Sequence, residues 1–141
     1  MRIVPTLELA DCRRIAAVAE TMAIQHQATV SLAICDAGGH PLLLIRLDGA
    51  SPSSASVAMA KARMAALNGK PTADQEAAIN GHRPALLQLA GVFKESAVAM
   101  GGGLPLLVQG LCIGAIGVSG MTPDLDAAIA ASAASALGET A

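Results

Sequence analysis

Apolar residues recur at helical spacing near the start of the chain. The positions that share one face of this helix are Cys12, Ile15, Ala19 and Met22. Upstream of them, the hydroxyl of Thr6 is of a type that accepts the first hydrogen bond at a helix N-terminus. The pattern predicts a first helix that starts after a Thr6 cap and runs to about Met22.

The next two apolar runs have the character of β-strands. VSLAICD (30–36) and PLLLIRLD (41–48) are joined by AGGH, a glycine-bearing turn typical of a hairpin. Leucine and isoleucine occupy both the odd and the even positions of the second run from 42 to 45. A strand that is apolar on both faces is expected in a sheet covered on both sides.

A second group of elements follows the loop DGASPSS. The alanine-rich run SVAMAKARMAAL (56–67) predicts a helix that ends at Asn68 and Gly69, and residues 73–93 have a looser helical pattern. LPLLVQ (104–109) and LCIGAIGVS (111–119) predict another hairpin, with its turn at Gln109 and Gly110.

The last predicted helix has a clear start. Thr122 is its cap and Pro123 its first residue, and its buried stripe comprises Leu125, Ile129, Ala133 and Leu137. The order of elements is therefore helix, hairpin, helices, hairpin, helix. This order predicts an α+β fold with a small antiparallel sheet, in one domain that spans residues 1–141.

Composition narrows the classes of function. The chain is 53% hydrophobic and 14% charged, well below the roughly 25% charged residues of an average domain. We therefore expect a homo-oligomer that covers part of this surface. A net charge of −2 and one aromatic residue, Phe93, argue against nucleic acid as a partner.

The sequence indicates neither a membrane-spanning segment nor a secreted protein stabilised by disulfides. No apolar run reaches the roughly 18 residues of a membrane span, and the N-terminal stretch lacks the pattern of a signal peptide, so we expect a cytoplasmic protein. The three cysteines, at positions 12, 35 and 112, lie in apolar contexts and fit buried side chains. No spacing of cysteine or histidine residues predicts a metal site, so the sequence leaves any metal ligands unknown.

Glycines cluster in the second hairpin and suggest a place where a ligand approaches the backbone. Successive N–H groups at Gly101, Gly102 and Gly103 can face an anion. At the other end of the hairpin, Ser119 and Gly120 precede the helix start at Thr122, whose free N–H groups also favour an anion. The alternative is that these glycines relieve crowding where the last helix crosses the sheet.

A few charged and polar side chains stand out among apolar neighbours. Arg46 and Asp48 end the second strand, where they form either an ion pair or the polar end of a pocket. Lys61 interrupts the alanine-rich helix, and a surface lysine is the simpler interpretation. His40 follows the hairpin glycines, which makes it the most plausible ligand among the three histidines, although each histidine alone is more often a surface residue.

Five motifs, in this order along the chain, resemble the GlcG/HbpS-like family, also known as the heme-binding, PduO C-terminal-like or DUF336 family. They are DAGGH (36–40), RLDGA (46–50), MAKARMAA (59–66), GGGLP (101–105) and GAIGVSG (114–120). The resemblance implies a profilin-like α/β/α sandwich with a five-stranded antiparallel sheet. It also implies oligomers from dimers to octamers, and it favours a pocket as the reason for the glycines.

Three functions remain open on this basis. In the first, the protein binds or converts a carboxylated metabolite of a catabolic or biosynthetic pathway. The glycine loop, Ser119 and Gly120 would hold the anion, Arg46 would add a bidentate contact, and Asp48, Lys61 or His40 would be the acid–base group.

The second function is heme or tetrapyrrole binding, which the resemblance makes a possible cofactor. Its candidate iron ligands are His40, His82, Met100 or a cysteine. The third is an accessory role in which assembly itself is the function.

Overall fold

The structure, a computed structural model, describes residues 1–138 of the chain. Four α-helices, four strands and one 3₁₀ segment make up this part. In chain order they are α1 (Leu9–Gln25), β1 (Ser31–Asp36), β2 (Pro41–Arg46), α2 (Pro52–Asn68), α3 (Thr72–Ile79), the 3₁₀ segment (Pro84–Val92), β3 (Gly103–Val108), β4 (Leu111–Ser119) and α4 (Pro123–Gly138). The two predicted hairpins and the α+β class are confirmed.

The strands form one antiparallel sheet in the order β2–β1–β4–β3. The expected fifth strand is absent from the described residues. Residues 94–100, which lead into β3, form neither helix nor strand. Their backbone packs on a helix, since the Val98 N–H donates to the carbonyl oxygen of Ala60 in α2 at 3.2 Å.

Helices cover both faces of the sheet, as an α/β/α sandwich requires. Leu32 and Ile34 of β1, with Ile116 of β4, point into the core that α1 and α4 complete. On the opposite face, Ala33 and Ala115 pack against the alanines of α2. Because a strand alternates its side chains, large residues line one face and small residues the other.

The small residues of that second face let α2 lie close to the backbone of the sheet. A Cβ atom placed on Gly117 would meet the carbonyl oxygen of Ala58 and, at 2.6 Å, the nitrogen of Ala62. Both atoms belong to the backbone of α2, which cannot give way locally. Gly117, the middle glycine of GAIGVSG, is therefore required for the close packing of α2 on β4.

Strand β2 differs from its prediction because it lies at an edge. Leu43 and Ile45 stand opposite Ile34 and Leu32 and share their core face. Leu44 points to the other face and is 49% exposed. Helices cover both faces of the sheet, but α2 does not fully cover β2 on its face, where Leu44 stays exposed.

Several helix boundaries differ from the predicted ones. Helix α1 begins after Glu8, not Thr6, and continues to Gln25. Asp11 stabilises this start, since its Oδ2 accepts the Glu8 N–H at 2.9 Å. Helix α2 also starts earlier than predicted, at Pro52, because proline is favoured in the first turn.

Glycine and threonine stand where the sequence placed the ends of elements. Gly69 adopts φ +64° at the C-terminus of α2, and Gln109 and Gly110 adopt φ values of 51° and 77° in the second hairpin turn. The Thr122 Oγ1 accepts the Leu125 N–H at 3.2 Å and caps α4. Among residues 1–138, no helix is long and apolar enough to cross a membrane.

Candidate functional site

Two N–H groups of the glycine loop, residues 101–103, donate to acceptors within the protein. The Gly101 N–H donates to Glu76 Oε1 at 3.2 Å, and the Gly103 N–H donates to Thr72 Oγ1 at 2.8 Å. The carbonyl oxygen of Gly102 accepts from Val118 N–H at 2.9 Å. Helix α3, which carries Thr72 and Glu76, therefore supplies the acceptors that an anion was expected to supply.

Close packing explains the need for glycine at position 102 in this loop and at position 120 after β4. Gly102 adopts φ +127°, and a Cβ atom there would lie 2.9 Å from Lys61 Nζ and 3.1 Å from Asp126 Cβ. Gly120 adopts φ +143°, and a Cβ atom there would lie 2.6 Å from the carbonyl oxygen of Thr29. Glycine is the residue that tolerates both the positive φ and the contact.

Lys61 is buried, contrary to the expectation of a surface lysine. Its side chain and that of Asp126 are each 3% exposed, and the Nζ donates to Asp126 Oδ2 at 3.2 Å and to the Val118 carbonyl oxygen at 2.9 Å. The pair joins α2 to α4 across the end of β4. Because Val118 belongs to β4, the hydrogen bonds of Lys61 connect three elements, α2, β4 and α4.

Asp126 also takes the place of a ligand at the N-terminus of α4. Its Oδ1 accepts the Met121 N–H at 3.1 Å, while Thr122 caps the helix. A carboxylate is favoured at this end of the helix dipole. The protein's own anion thus lies where the sequence predicted a bound one, and Ser119 nearby is buried in the sheet opposite Ser31.

Arg46 and Asp48 lie apart from this cluster. Arg46 is the last residue of β2, at the edge of the sheet opposite Ser31, and both side chains are exposed. The ion pairs of the described residues are Asp11–Arg14, Asp36–His40 and Lys61–Asp126. Of the two alternatives for Arg46 and Asp48, the ion pair is therefore not formed.

A different pair of polar side chains is assembled in the first hairpin turn. The His40 Nδ1 lies 3.1 Å from Asp36 Oδ1 and 3.3 Å from Asp36 Oδ2. The same Oδ1 accepts the N–H groups of Gly38 and His40, each at 2.9 Å. A carboxylate that already accepts two backbone bonds holds the imidazole in one orientation.

The glycines of this turn keep the imidazole in place. A Cβ atom on Gly38 would lie 2.8 Å from His40 Cε1, so a larger residue would displace the ring. Gly39 adopts φ +81°, and its carbonyl oxygen accepts Arg63 Nε at 3.1 Å. Arg63 anchors the turn to α2 and fixes the position of His40 relative to the sheet.

A cavity of about 430 Å³ opens beside this turn. The lining residues are Asp36, Ala37, Gly38 and His40 of the turn, Arg2, Val4, Pro5 and Thr6 near the N-terminus, and residues 111–113. Most of the walls are apolar, and the guanidinium of Arg2 supplies a positive charge. The cavity thus combines an oriented imidazole, apolar walls and a cation.

The cysteines are free, as the sequence predicted, and two of them are buried. Burial raises the pKa of the Cys35 thiol to about 12 and also raises that of Cys12, where the adjacent Asp11 carboxylate adds to the effect. Cys112 is half-buried and lines the His40 cavity. Within residues 1–138, no three His, Cys, Asp or Glu side chains converge as a metal site would require.

The other predicted ligands lie elsewhere. His82 is exposed in the turn after α3, and Met100 lines a separate cavity. Sequence reasoning missed Asp36 as the partner of His40 and Asp126 as the partner of Lys61. Asp36 was visible in the DAGGH motif, and Asp126 falls on the buried face of its helix together with Ile129 and Ala133.

The elements thus form a small α/β/α domain with a cavity between a hairpin turn and strand β4 of the sheet. Residues 7–135 match the family described as "Haem degrading protein HbpS-like". The chain belongs to this HbpS-like family, which confirms the resemblance.

Individual relatives agree with this assignment. The protein is 40% identical to Protein GlcG of Escherichia coli K12 over 91 residues, which is 64%, or less than two thirds, of the length of either chain. The crystal structure of Klebsiella pneumoniae protein ORFY has a TM-score of 0.88 and 32% identity, and the match covers 98% of this chain and 94% of that one. A crystal structure of a PduOC:heme complex has a TM-score of 0.83 and 28% identity, with 94% of this chain and 95% of that one covered.

Proposed function

We propose that the protein binds heme, or a related iron tetrapyrrole, in the cavity beside the first hairpin turn, with His40 as the iron ligand. The observation that carries the proposal is the contact of 3.1 Å between His40 Nδ1 and Asp36 Oδ1. Histidines that bind metals almost always donate their other ring N–H to a carboxylate or a carbonyl.

The contact with Asp36 determines which nitrogen is available. An ionised carboxylate accepts hydrogen bonds and does not donate them, so the His40 Nδ1 carries a proton. In the neutral imidazole, the lone pair is then on Nε2. The His40 side chain is 78% exposed, which leaves this nitrogen within reach of an incoming ligand.

The remaining walls of the cavity fit the rest of such a ligand. Val4, Pro5 and Ile113 offer apolar surface to a macrocycle, and Arg2 offers a charge for a propionate carboxylate. Arg2 takes part in none of the ion pairs of the described residues. When bound, heme supplies a redox-active iron whose chemistry its protein ligand tunes.

The comparisons support heme over other ligands of similar size. The family description names heme degradation, and one relative of the same fold was crystallised as a heme complex. A carboxylated metabolite without iron remains the second candidate, because Arg2 would bind its carboxylate equally well in the same cavity.

Absorbance titration with hemin tests the proposal. We expect the Soret band to sharpen and saturate at one equivalent of hemin per chain. His40→Ala is expected to lose this band, whereas His82→Ala, which removes an exposed histidine outside the cavity, is expected to retain it.

Either of two results contradicts the proposal. One is a His40→Ala variant that binds hemin like the unmodified protein. The other is a protein that binds a carboxylate such as glycolate or citrate in the cavity, with loss of binding in Arg2→Ala, but does not bind hemin.

A further inference from the structure

A second cavity shares no lining residue with the His40 cavity. Its volume is about 300 Å³, and α3, the 3₁₀ segment and residues 97–100 enclose it. Most of its lining is apolar, with side chains that include Met64, Ile79, Leu86 and Val98. A cavity of this kind excludes water from part of any ligand that enters it.

One charged side chain reaches this cavity, and its charge is negative. Glu76 of α3 is half-buried, and its Oε1 accepts the Gly101 N–H at 3.2 Å. That bond is the single hydrogen bond of this carboxylate within residues 1–138, so Oε2 is left without a protein partner. Asn80, an exposed residue one turn further along, also lines the cavity.

The Glu76 carboxylate takes part in none of the ion pairs of the described residues. A hydrogen bond from an ammonium group to a carboxylate is roughly twice as strong as one between neutral groups. None of the lining residues is a lysine, arginine or histidine. A cation that binds Glu76 in this cavity therefore comes from outside the lining.

We propose that this cavity binds a small apolar ammonium ion, with Glu76 Oε2 and the side-chain oxygen of Asn80 accepting hydrogen bonds from the ammonium group. The apolar walls take the hydrocarbon part of the ligand. The cavity has a volume of about 300 Å³, which suits the hydrocarbon part of a small ligand. Primary alkylamines and arylalkylamines of this size fit the description.

This site is separate from the heme site and does not rest on it. Its test uses hexylammonium as the probe, with hexan-1-ol and hexanoate as matched compounds of the same chain length. Binding is measured by isothermal titration calorimetry and by amide chemical shifts in the full chain. We expect saturable binding of one hexylammonium per chain, at least about tenfold tighter than hexan-1-ol, and no saturable binding of hexanoate.

Two variants locate the charge that matters. Glu76→Gln keeps an oxygen for the Gly101 N–H but removes the negative charge, and we expect it to weaken hexylammonium binding at least about tenfold. Asp74→Asn removes the same charge from an exposed position on the same helix, and we expect it to bind like the unmodified protein.

The proposal is overturned if Glu76→Gln binds hexylammonium unchanged, or if the unmodified protein binds hexan-1-ol or hexanoate as tightly as hexylammonium. The second comparison needs no variant and holds even if Glu76→Gln does not fold. Because hemin binding is measured at another cavity, a negative result here leaves the heme proposal in place, and the reverse is also true.

Discussion

Lys61 and Asp126 lie on the buried faces of two different helices, and each neutralises the charge of the other. A buried ion pair is expensive to break, because the remaining charge stays in the interior without a partner. Lys61→Met is therefore expected to lower the free energy of unfolding by about 3–5 kcal/mol in urea denaturation.

The matched control is Lys70→Met, which removes an exposed lysine just after α2 and is expected to change stability by less than about 0.5 kcal/mol. The double variant Lys61→Met with Asp126→Leu removes both charges and is expected to recover much of the loss. A Lys61→Met variant as stable as the unmodified protein would show that the pair does not hold α2 to α4.

The cysteines differ in reactivity because they differ in burial. The thiolate is the reactive form, and with a pKa of about 12 the Cys35 thiol is ionised in only about one molecule in ten thousand near pH 8. Cys12 is also buried, with a raised pKa. Labelling of the native protein with a thiol reagent near pH 8 is expected to modify Cys112 first, and all three thiols after denaturation. Fast labelling in a Cys112→Ser variant would contradict this order.

At the scale of elements, α2 lies close to β4 because Gly117 has no side chain. Gly117→Ala places a Cβ atom against the backbone of α2 at Ala58 and Ala62. The helix must then move away from the sheet, which is expected to cost about 1–3 kcal/mol of stability in thermal or urea unfolding.

Gly91→Ala is the control for that substitution. No atom lies within 4 Å of a Cβ placed at Gly91, and its φ is not positive. We expect Gly91→Ala to be as stable as the unmodified protein or slightly more so. Equal stability of the two alanine variants would mean that α2 is not in close contact with β4 through Gly117.

Elements that depend on local chemistry were predictable from sequence. The two hairpins and the start of α4 follow from alternation, turn glycines and the Thr122 cap. The start of α1 was misplaced because a threonine is a more common cap than Glu8 with Asp11. The edge position of β2 was not predictable, since strand order depends on contacts that are distant in sequence.

The same distinction applies to the candidate site. His40 and Asp36 belong to one motif, and their contact is local. Lys61 and Asp126 are 65 residues apart, and the sequence favoured a surface lysine at position 61, so no local pattern showed that the two side chains meet. The internal partners of Gly101 and Gly103 depend on how α3 packs, which no local pattern of the glycine loop reveals.

At the scale of the whole molecule, we predict an assembly of at least two chains. The chain is 14% charged, and Leu44 at the β2 edge is 49% exposed, so apolar surface remains uncovered in one chain. Leu44→Glu is expected to lower the mass measured by light scattering. Ala60 of α2 is 4% exposed within a single chain, so a substitution there would test the folding of the chain and not its assembly. A mass near 14.0 kDa for the unmodified protein at micromolar concentration would contradict assembly.

The central claim is that His40 binds the iron of a heme, and chemical rescue tests it most directly. His40→Gly removes the imidazole from the turn, and free imidazole then replaces it as a ligand. The account predicts that the hemin complex of His40→Gly loses the sharp Soret band and that millimolar imidazole restores it. The unmodified protein, and hemin with imidazole alone, serve as controls. A His40→Gly variant whose hemin spectrum matches that of the unmodified protein, with no response to imidazole, would contradict the account.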